Sequence, residues 1–206
     1  MYQNKKYHKN DARSIFNLIR QNPFATVVSW GSSLIATHIP ILTDGDEEDF
    51  VLYGHIANNN PMLQALQEGK EVLLIFQSVH GYVSSSWYRE KDISTWDYAA
   101  VHINAKTQLQ SQEELRSCLI RLIERFEKEQ ENPLFFHDIP QKMIEDHLPR
   151  ITGFWGRPIK VEAIAKFHQG FAEDDITSIT THLEGQKNPL SRALSTLIKK
   201  EHGRDH

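Results

Sequence analysis

The spacing of apolar residues changes several times along the chain, and each change marks an element. Ile15, Phe16, Leu18 and Ile19 share one face of a helix expected from about Asp11 to Gln21. Asn10 or Asp11 can cap its start, and Asn22-Pro23 stops it. Apolar and β-branched runs then predict strands over Phe24 to Trp30 and Leu34 to Leu42, a hairpin closed by the turn Gly31-Ser32-Ser33. The acidic stretch Thr43 to Asp49 reads as a solvated loop before a third strand, Phe50 to His55. Asn60 as a cap, Pro61 in the first turn and Gly69 at the exit predict a short helix over Pro61 to Glu68. Glu71 to Gln77 is a buried strand by pattern, and Gly81 to Ser86 and Val101 to Leu109 are two more. Between those two, Trp87 to Ala100 reads as irregular and aromatic.

The second half is more helical. Leu115, Cys118, Leu119, Leu122, Ile123 and Phe126 form one stripe of a helix predicted over Gln112 to Glu131. Cys118 lies on that stripe and reads as a small buried hydrophobe. A short helix is expected over Gln141 to His147, and a strand pair over Ile151 to Phe167, bent near Gly156-Arg157-Pro158. Two helices close the chain, near Asp174 to Glu184 and Pro189 to Lys200, the second capped by Asn188. Six or seven mostly antiparallel strands with short helices between them predict an α+β fold built on a small β-barrel. The order lacks strict β/α alternation, which excludes a doubly wound parallel sheet.

Composition narrows the function. The 206 residues carry a formal net charge of −4, which excludes a broadly basic nucleic-acid coat. Local basic clusters remain at Lys5, Lys6, Lys9 and Arg13, and at Arg192, Lys199, Lys200 and Arg204, where contact with DNA stays open. A single Cys excludes an intramolecular disulfide and a Cys-cluster metal site. No apolar run reaches the roughly 18 residues of a membrane span. The opening Met1-Tyr2-Gln3-Asn4-Lys5-Lys6 is polar, and a cytoplasmic protein is expected. The eleven His lack metal spacing: His137 and His147 lie ten apart, and His202 and His206 fall at the terminus. No metal site is expected, and nothing pairs a nucleophile with a base. Asp174-Asp175 reads as a helix-start pair facing the dipole.

Four clusters beside strands remain. Thr37-His38-Ile39-Pro40 carries a histidine that reads as a core residue bonded to backbone. Gly54-His55-Ile56-Ala57-Asn58-Asn59-Asn60-Pro61 has two readings. It is a tight strand-to-helix turn capped by Asn60, or a phosphate cradle in which Gly54 lets a ligand approach the backbone. Clusters at 80–88 and 94–102, rich in Trp, Tyr, Ser and His, suit either a planar ligand with polar edges or an aromatic subunit interface.

At these clusters the chain resembles the FMN-binding negative transcriptional regulators of the PaiB type. The resemblance runs end to end. It rests on Met1-Tyr2, Pro23-Phe24-Ala25-Thr26, Ala36 to Pro40, Gly54 to Ala57 with Asn60-Pro61, Tyr82-Val83-Ser84 with Ser86-Trp87-Tyr88, Thr95-Trp96 with Tyr98, Val101-His102, Ile151 to Phe154, and Lys166 with Gln169. It implies an antiparallel split β-barrel with peripheral helices and a helical C-terminal tail. Residues 1–170 would form the barrel, with helix 112–131 inserted, and 171–206 the extension. It also implies a homodimer with FMN at the subunit interface. Mapped by resemblance, Thr37, His38, Gly54, His55, Ala57, Asn58 and Asn60 would hold the phosphate and ribityl chain, and backbone at His38 to Ile39 would meet the ring edge. Tyr82, Ser84, Trp87, Tyr98 and His102 would line the ring, and Lys166 and Gln169 belong to a run at the end of the last strand.

The sequence departs from that pattern at four places. Asn58 stands where the family commonly has Arg, and Ser85 where it has Pro. Asp97 replaces Asn, and Lys166-Phe167-His168-Gln169-Gly170 replaces Lys-Leu-Ser-Gln-Asn. The function implied is a flavin-binding regulator or sensor. A flavin-dependent oxidoreductase, with His38 or His102 as general acid, and a haem-binding barrel with an axial imidazole are the alternatives.

Overall fold

The structure, a computed structural model, describes residues 1–2, 4–31, 33–90 and 92–204. Gln3, Ser32 and His206, named above, lie outside the described residues. The elements run β1 (His8–Lys9), α1 (Ala12–Gln21), β2 (Phe24–Trp30), β3 (Leu34–Pro40), β4 (Leu42–Gly45), β5 (Phe50–Ala57) and α2 (Leu63–Gln67). There follow β6 (Glu71–Gln77), β7 (Gly81–Val83), β8 (Thr95–Leu109), α3 (Gln112–Glu127), α4 (Gln141–His147), β9 (Ile151–Lys166), α5 (Glu173–Gly185) and α6 (Pro189–Glu201). The chain forms two compact units. One comprises Met1–Asn22, Gln77–Val101 and Glu162–His206, the other Pro23–Phe76 and His102–Val161.

The second unit is mostly sheet. Its strands follow the order β3-β2-β6-β8-β9-β5-β4. β2 and β3 pair antiparallel from Phe24↔Pro40 to Trp30↔Leu34, and β2 meets β6 at Thr26↔Ile75 and Val28↔Leu73. Alternation along β2 buries Ala25, Val27 and Ser29 and leaves Phe24, Thr26, Val28 and Trp30 on the other face. Ile41, Leu52, Ile56, Leu74, Phe76, Ile103 and Phe154 fill the core of this unit. α3 is started by a reciprocal cap. The Ser111 hydroxyl accepts from Glu114 N at 3.2 Å, and the Glu114 carboxylate accepts from Ser111 N at 2.7 Å. The helix buries Leu115 and Cys118 and stops at Glu127, four residues short of the expected end. Burial pushes the Cys118 thiol pKa up, and its sulfur accepts from Gln110 Nε2 at 3.2 Å and Arg121 Nη2 at 3.4 Å.

Three expectations change in this unit. The strand drawn to Leu42 breaks at Ile41, after Pro40, whose ring cannot donate to a ladder. The acidic loop is partly strand: β4 pairs with β5 from Leu42↔Tyr53 to Gly45↔Phe50, and Arg121 meets Asp44 at 2.8 Å. Gly45, at φ +105°, makes the turn; a Cβ there would lie 2.2 Å from the Asp49 carbonyl oxygen. The pair expected at 151–167 is the single strand β9. Pro158 is tolerated because the β5 ladder ends at Leu52↔Gly156.

The first unit is mostly helical. β1 pairs with the end of β9 at His8↔Ile164, and β7 with the start of β8 from Gly81↔Asp97 to Val83↔Thr95. Thr95 to Ala100 is therefore strand, where an irregular stretch was expected. α1 is capped by Asp11, whose carboxylate accepts from Ser14 N at 2.8 Å, and α6 by Asn188, which accepts from Leu190 N at 3.1 Å. Asp174 and Asp175 open α5 and bind Arg89, through its Nη1 at 3.1 Å and its backbone N at 2.9 Å. α5 and α6 close over a core that includes Val83, Phe167, Ile176, Ile179, Leu194 and Ile198. Among the described residues, no helix is long and apolar enough to cross a membrane.

Candidate functional site

The second unit presents its polar candidates on β3 and at the end of β5. β3 ends the strand order, so one edge of its backbone has no strand neighbour among the described residues. Leu34, Ala36 and His38 point to an exposed face; Ile35, Thr37 and Ile39 alternate to the other. The Asn60 amide donates to the Thr37 hydroxyl at 3.1 Å, while its Oδ1 accepts from Met62 N at 2.9 Å. That second bond makes a turn first and delays α2 to Leu63. The corner keeps two donors in hand: the Thr37 hydroxyl hydrogen and the second amide hydrogen of Asn60.

The other candidates on these strands go elsewhere. His38 is exposed and stacks on Phe24, with ring centroids 6.1 Å apart. It is not the core histidine its sequence setting suggests, because strand alternation turns it to the open face. Gly54 is required by packing: a Cβ there would sit 2.6 Å from Ile41 Cδ1 and 3.0 Å from the Pro40 oxygen. Asn58 staples the turn to the start of β9. Its amide donates to the Pro149 oxygen at 2.8 Å, and its Oδ1 accepts from the Thr152 hydroxyl at 2.6 Å. Ala57 is exposed at the strand end, its carbonyl accepting from Asn60 N at 2.9 Å. His55 lines a cavity of about 350 Å³ with Leu119, Phe136, Ile144, His147 and Arg150. Neither Thr37 nor Asn60 reaches it. Desolvation holds the His55 pKa below the ordinary imidazole range, so the ring is neutral at pH 7. His102 is half-buried on β8.

The first unit holds the remaining candidates, and they do not converge. Tyr82 is exposed opposite Trp96, which tilts against His80. Ser84 binds Ser86, hydroxyl to hydroxyl at 2.8 Å, and caps the 3₁₀ turn Ser85–Trp87. Trp87 stacks flat on His182, centroids 5.2 Å apart, and Tyr98 is half-buried on β8. Gln169 is fully engaged: it accepts from Phe167 N at 2.9 Å and donates to the Ala165 oxygen at 2.8 Å and to Glu201 at 2.9 Å. Lys166 donates to the Thr95 hydroxyl.

Beside Lys166 lies a network that the sequence did not announce. Asp97 is wholly buried and meets His168 Nδ1 at 2.5 Å; His168 Nε2 meets the Tyr88 hydroxyl at 2.7 Å. His168 sits at φ 58°, in the left-handed region uncommon for a residue with a side chain. Burial pushes the Asp97 pKa up, and the bond to His168 opposes it. Burial, with the Asp97 charge, pushes the Tyr88 pKa up to about 12. Asp97 Oδ1 has no hydrogen-bond partner among the described residues. The signal available in the sequence was that Asp97 and His168 both stand at departures from the family pattern. Nothing local says that they touch.

With this geometry in place, the chain can be set beside known proteins. Residues 1–163 match a family described as "Putative FMN-binding domain". The chain is 31% identical over 200 residues to the "Protease synthase and sporulation protein PAI 2" of Bacillus subtilis (strain 168), with 97% of each covered. Among solved structures, the FAD and Heme binding protein from Mycobacterium smegmatis superposes with a TM-score of 0.61 at 19% identity, covering 84% of this chain and 80% of that one. The Flavocytochrome Anf3 from Azotobacter vinelandii gives 0.58 at 14%, covering 86% and 78%. At such identities the likeness speaks for the fold, and the fold is the expected one: an α+β antiparallel split barrel with peripheral helices and two C-terminal helices.

Proposed function

The chain belongs to the family described as "Putative FMN-binding domain", and from that premise we propose that it binds FMN and serves as a flavin-linked regulator. The observation that carries this reading is the Thr37–Asn60 corner on a strand with an unpaired edge. A phosphate or ribityl oxygen needs donors that are not already engaged, and this corner retains two. Thr37 and Asn60 hold the polar chain, and the free edge at His38 and Ile39 faces the ring edge. FMN supplies the redox chemistry when bound; the chain's own residues bind and orient it. Asn58, engaged with Pro149 and Thr152, contributes by fixing the turn rather than by clamping a phosphate.

A second copy of the chain fits the same reading. Phe24, Trp30 and Leu34 are 66%, 62% and 68% exposed on one sheet face. An apolar face of that kind is normally covered by a partner. Tyr82, Ser84, Trp87, Tyr98, His102 and Lys166 then remain candidates to line the flavin. Regulation through direct DNA contact draws little support from charge: the chain carries a net −4, and Lys9, Lys199 and Arg204 are paired with Glu201, Glu184 and Glu173. We read any regulation as indirect.

One cavity favours a second reading, haem. His147 Nδ1 binds the Met143 oxygen at 2.7 Å, which leaves its Nε2 lone pair available, and neutral His55 shares the same apolar cavity. One experiment separates the readings: an absorbance spectrum of the purified protein followed by FMN titration. Flavin bands or saturable FMN binding, lost in Thr37→Val with Asn60→Ala, support the first. A Soret band lost in His147→Leu supports the second. A colourless protein indifferent to FMN and to haem rejects both.

A further inference from the structure

We propose that the first unit carries a separate binding site for a small organic carboxylate, in the cavity in front of Tyr88 and His168. The cavity measures about 320 Å³, and Tyr7, Tyr88 and Phe171 line it with Lys6 and Lys166. That volume is at the lower end of small-molecule pockets. It is a site of unit one alone and does not depend on flavin binding.

The charge argument comes first. The Lys6 and Lys166 ammonium groups lie 5.6 and 5.9 Å from the centroid of the Tyr7 ring. Lys6 also lies 5.7 Å from that of Phe171. Neither lysine is within ion-pair distance of a carboxylate among the described residues; Lys166 donates to the neutral Thr95 hydroxyl and feels the buried Asp97 only through space. Two ammonium groups gathered at one ring repel each other, and an anion bound near both offsets that repulsion. The acid behind the wall answers this only in part: Asp97 is buried and its Oδ2 is held by His168. Asp92, at the rim, accepts from Ile93 N at 2.7 Å and forms no ion pair with either lysine among the described residues.

The walls argue for an organic anion over an inorganic one. Three aromatic rings offer apolar area next to the two charges. Tyr88 is a fixed wall, because the Asp97–His168 pair holds its hydroxyl and Phe171 packs edge-on against both its ring and that of His168, centroids 5.3 and 4.7 Å away. A pre-set wall lowers the ordering cost of binding. The two departures from the family pattern thus meet at one place, where Asp97 and His168 form a buried hydrogen-bonded pair that sets the back of the cavity. Asp97 and His168 are positioning residues here, and the lysines and rings are the contacts.

The test is calorimetric titration of the FMN-free full-length protein with benzoate and, separately, with acetate. The expected result is saturable benzoate binding, clearly tighter than acetate, weakened about tenfold in Lys6→Met and in Lys166→Met. Lys6 is exposed, so its variant keeps the fold even if Lys166→Met does not. Absence of saturable benzoate binding at millimolar concentrations overturns the proposal. So does benzoate binding no tighter than acetate, or affinity unchanged in both variants. An FMN titration is run in parallel. If FMN displaces benzoate and both lysine variants lose FMN equally, the lysines belong to the flavin and the carboxylate site is rejected. If benzoate binds and FMN does not, the carboxylate site stands and the flavin reading falls.

Discussion

Two polar clusters, one in each unit, are built on opposite plans. The Thr37–Asn60 corner is neutral, half-buried and under-used, with donors to spare. The Asp97–His168–Tyr88 network is ionisable, buried and almost fully engaged. The difference follows from solvent. A donor near the surface can be left open because water serves it, so it stays available to a ligand. A buried charge left open costs several kcal/mol, so its partners are chosen by folding and are not available for exchange. Ligand-binding capacity therefore belongs to the first cluster directly. The second can contribute only by shaping what stands in front of it.

The sharpest way to break this contrast is to unpair the buried network. Asp97→Ala should cost about 3 kcal/mol, because His168 loses its partner in a place water does not reach; urea unfolding reads it. The neutral double variant Asp97→Asn with His168→Ser should lose less than its two singles together, by about 1–3 kcal/mol of coupling. Strict additivity in that cycle would mean the two residues do not act as a pair. Next in size is Gly54→Ala. The new methyl meets Ile41 and the Pro40 oxygen and should cost about 1–3 kcal/mol by overpacking. A neutral result would return Gly54 to a ligand role. Thr37→Val and Asn60→Ala should each cost only about 1 kcal/mol of stability, yet weaken FMN about tenfold. Affinity and stability falling in proportion would put the corner in the same class as the buried network.

The smallest effect is expected at His55. Its pKa is lowered by burial, so the unfolded chain takes up the proton first. Its contribution is present above the ordinary imidazole pKa of about 6.5 and is lost as pH falls through the lowered folded value. His55→Leu should therefore flatten the fall in melting temperature between about pH 7 and pH 5. An unchanged slope would show that other groups dominate.

Much of the fold was legible because its signals are local. Caps at Asp11, Ser111 and Asn188 act within three residues, and the stripe through Leu115 and Cys118 needs only one helix. Strand alternation gave β2 and β6 for the same reason. Strand ends were less legible. Whether Ile41 bends or Pro158 continues depends on where a neighbouring ladder stops, and that neighbour is distant in sequence. Site residues were legible as a group and not in their roles. Asn58 finds its partners 91 and 94 residues away, and Asp97 finds His168 at 71. The turn around Asn58 looked like a cradle because its composition suits one; the acceptors that engage it could not be read from the turn itself.

The first unit is assembled from three separated stretches of chain, Met1–Asn22, Gln77–Val101 and Glu162–His206. Its hydrophobic core needs Ile176, Leu183, Leu194 and Ile198 from the last of these. During synthesis the early stretches must wait, unclosed, until the chain through α6 has left the ribosome. Contacts of such long sequence separation make for slow closure. In that interval the apolar residues of α1 and β7 are exposed, and a nascent chain halted short of α6 is the species most prone to aggregate.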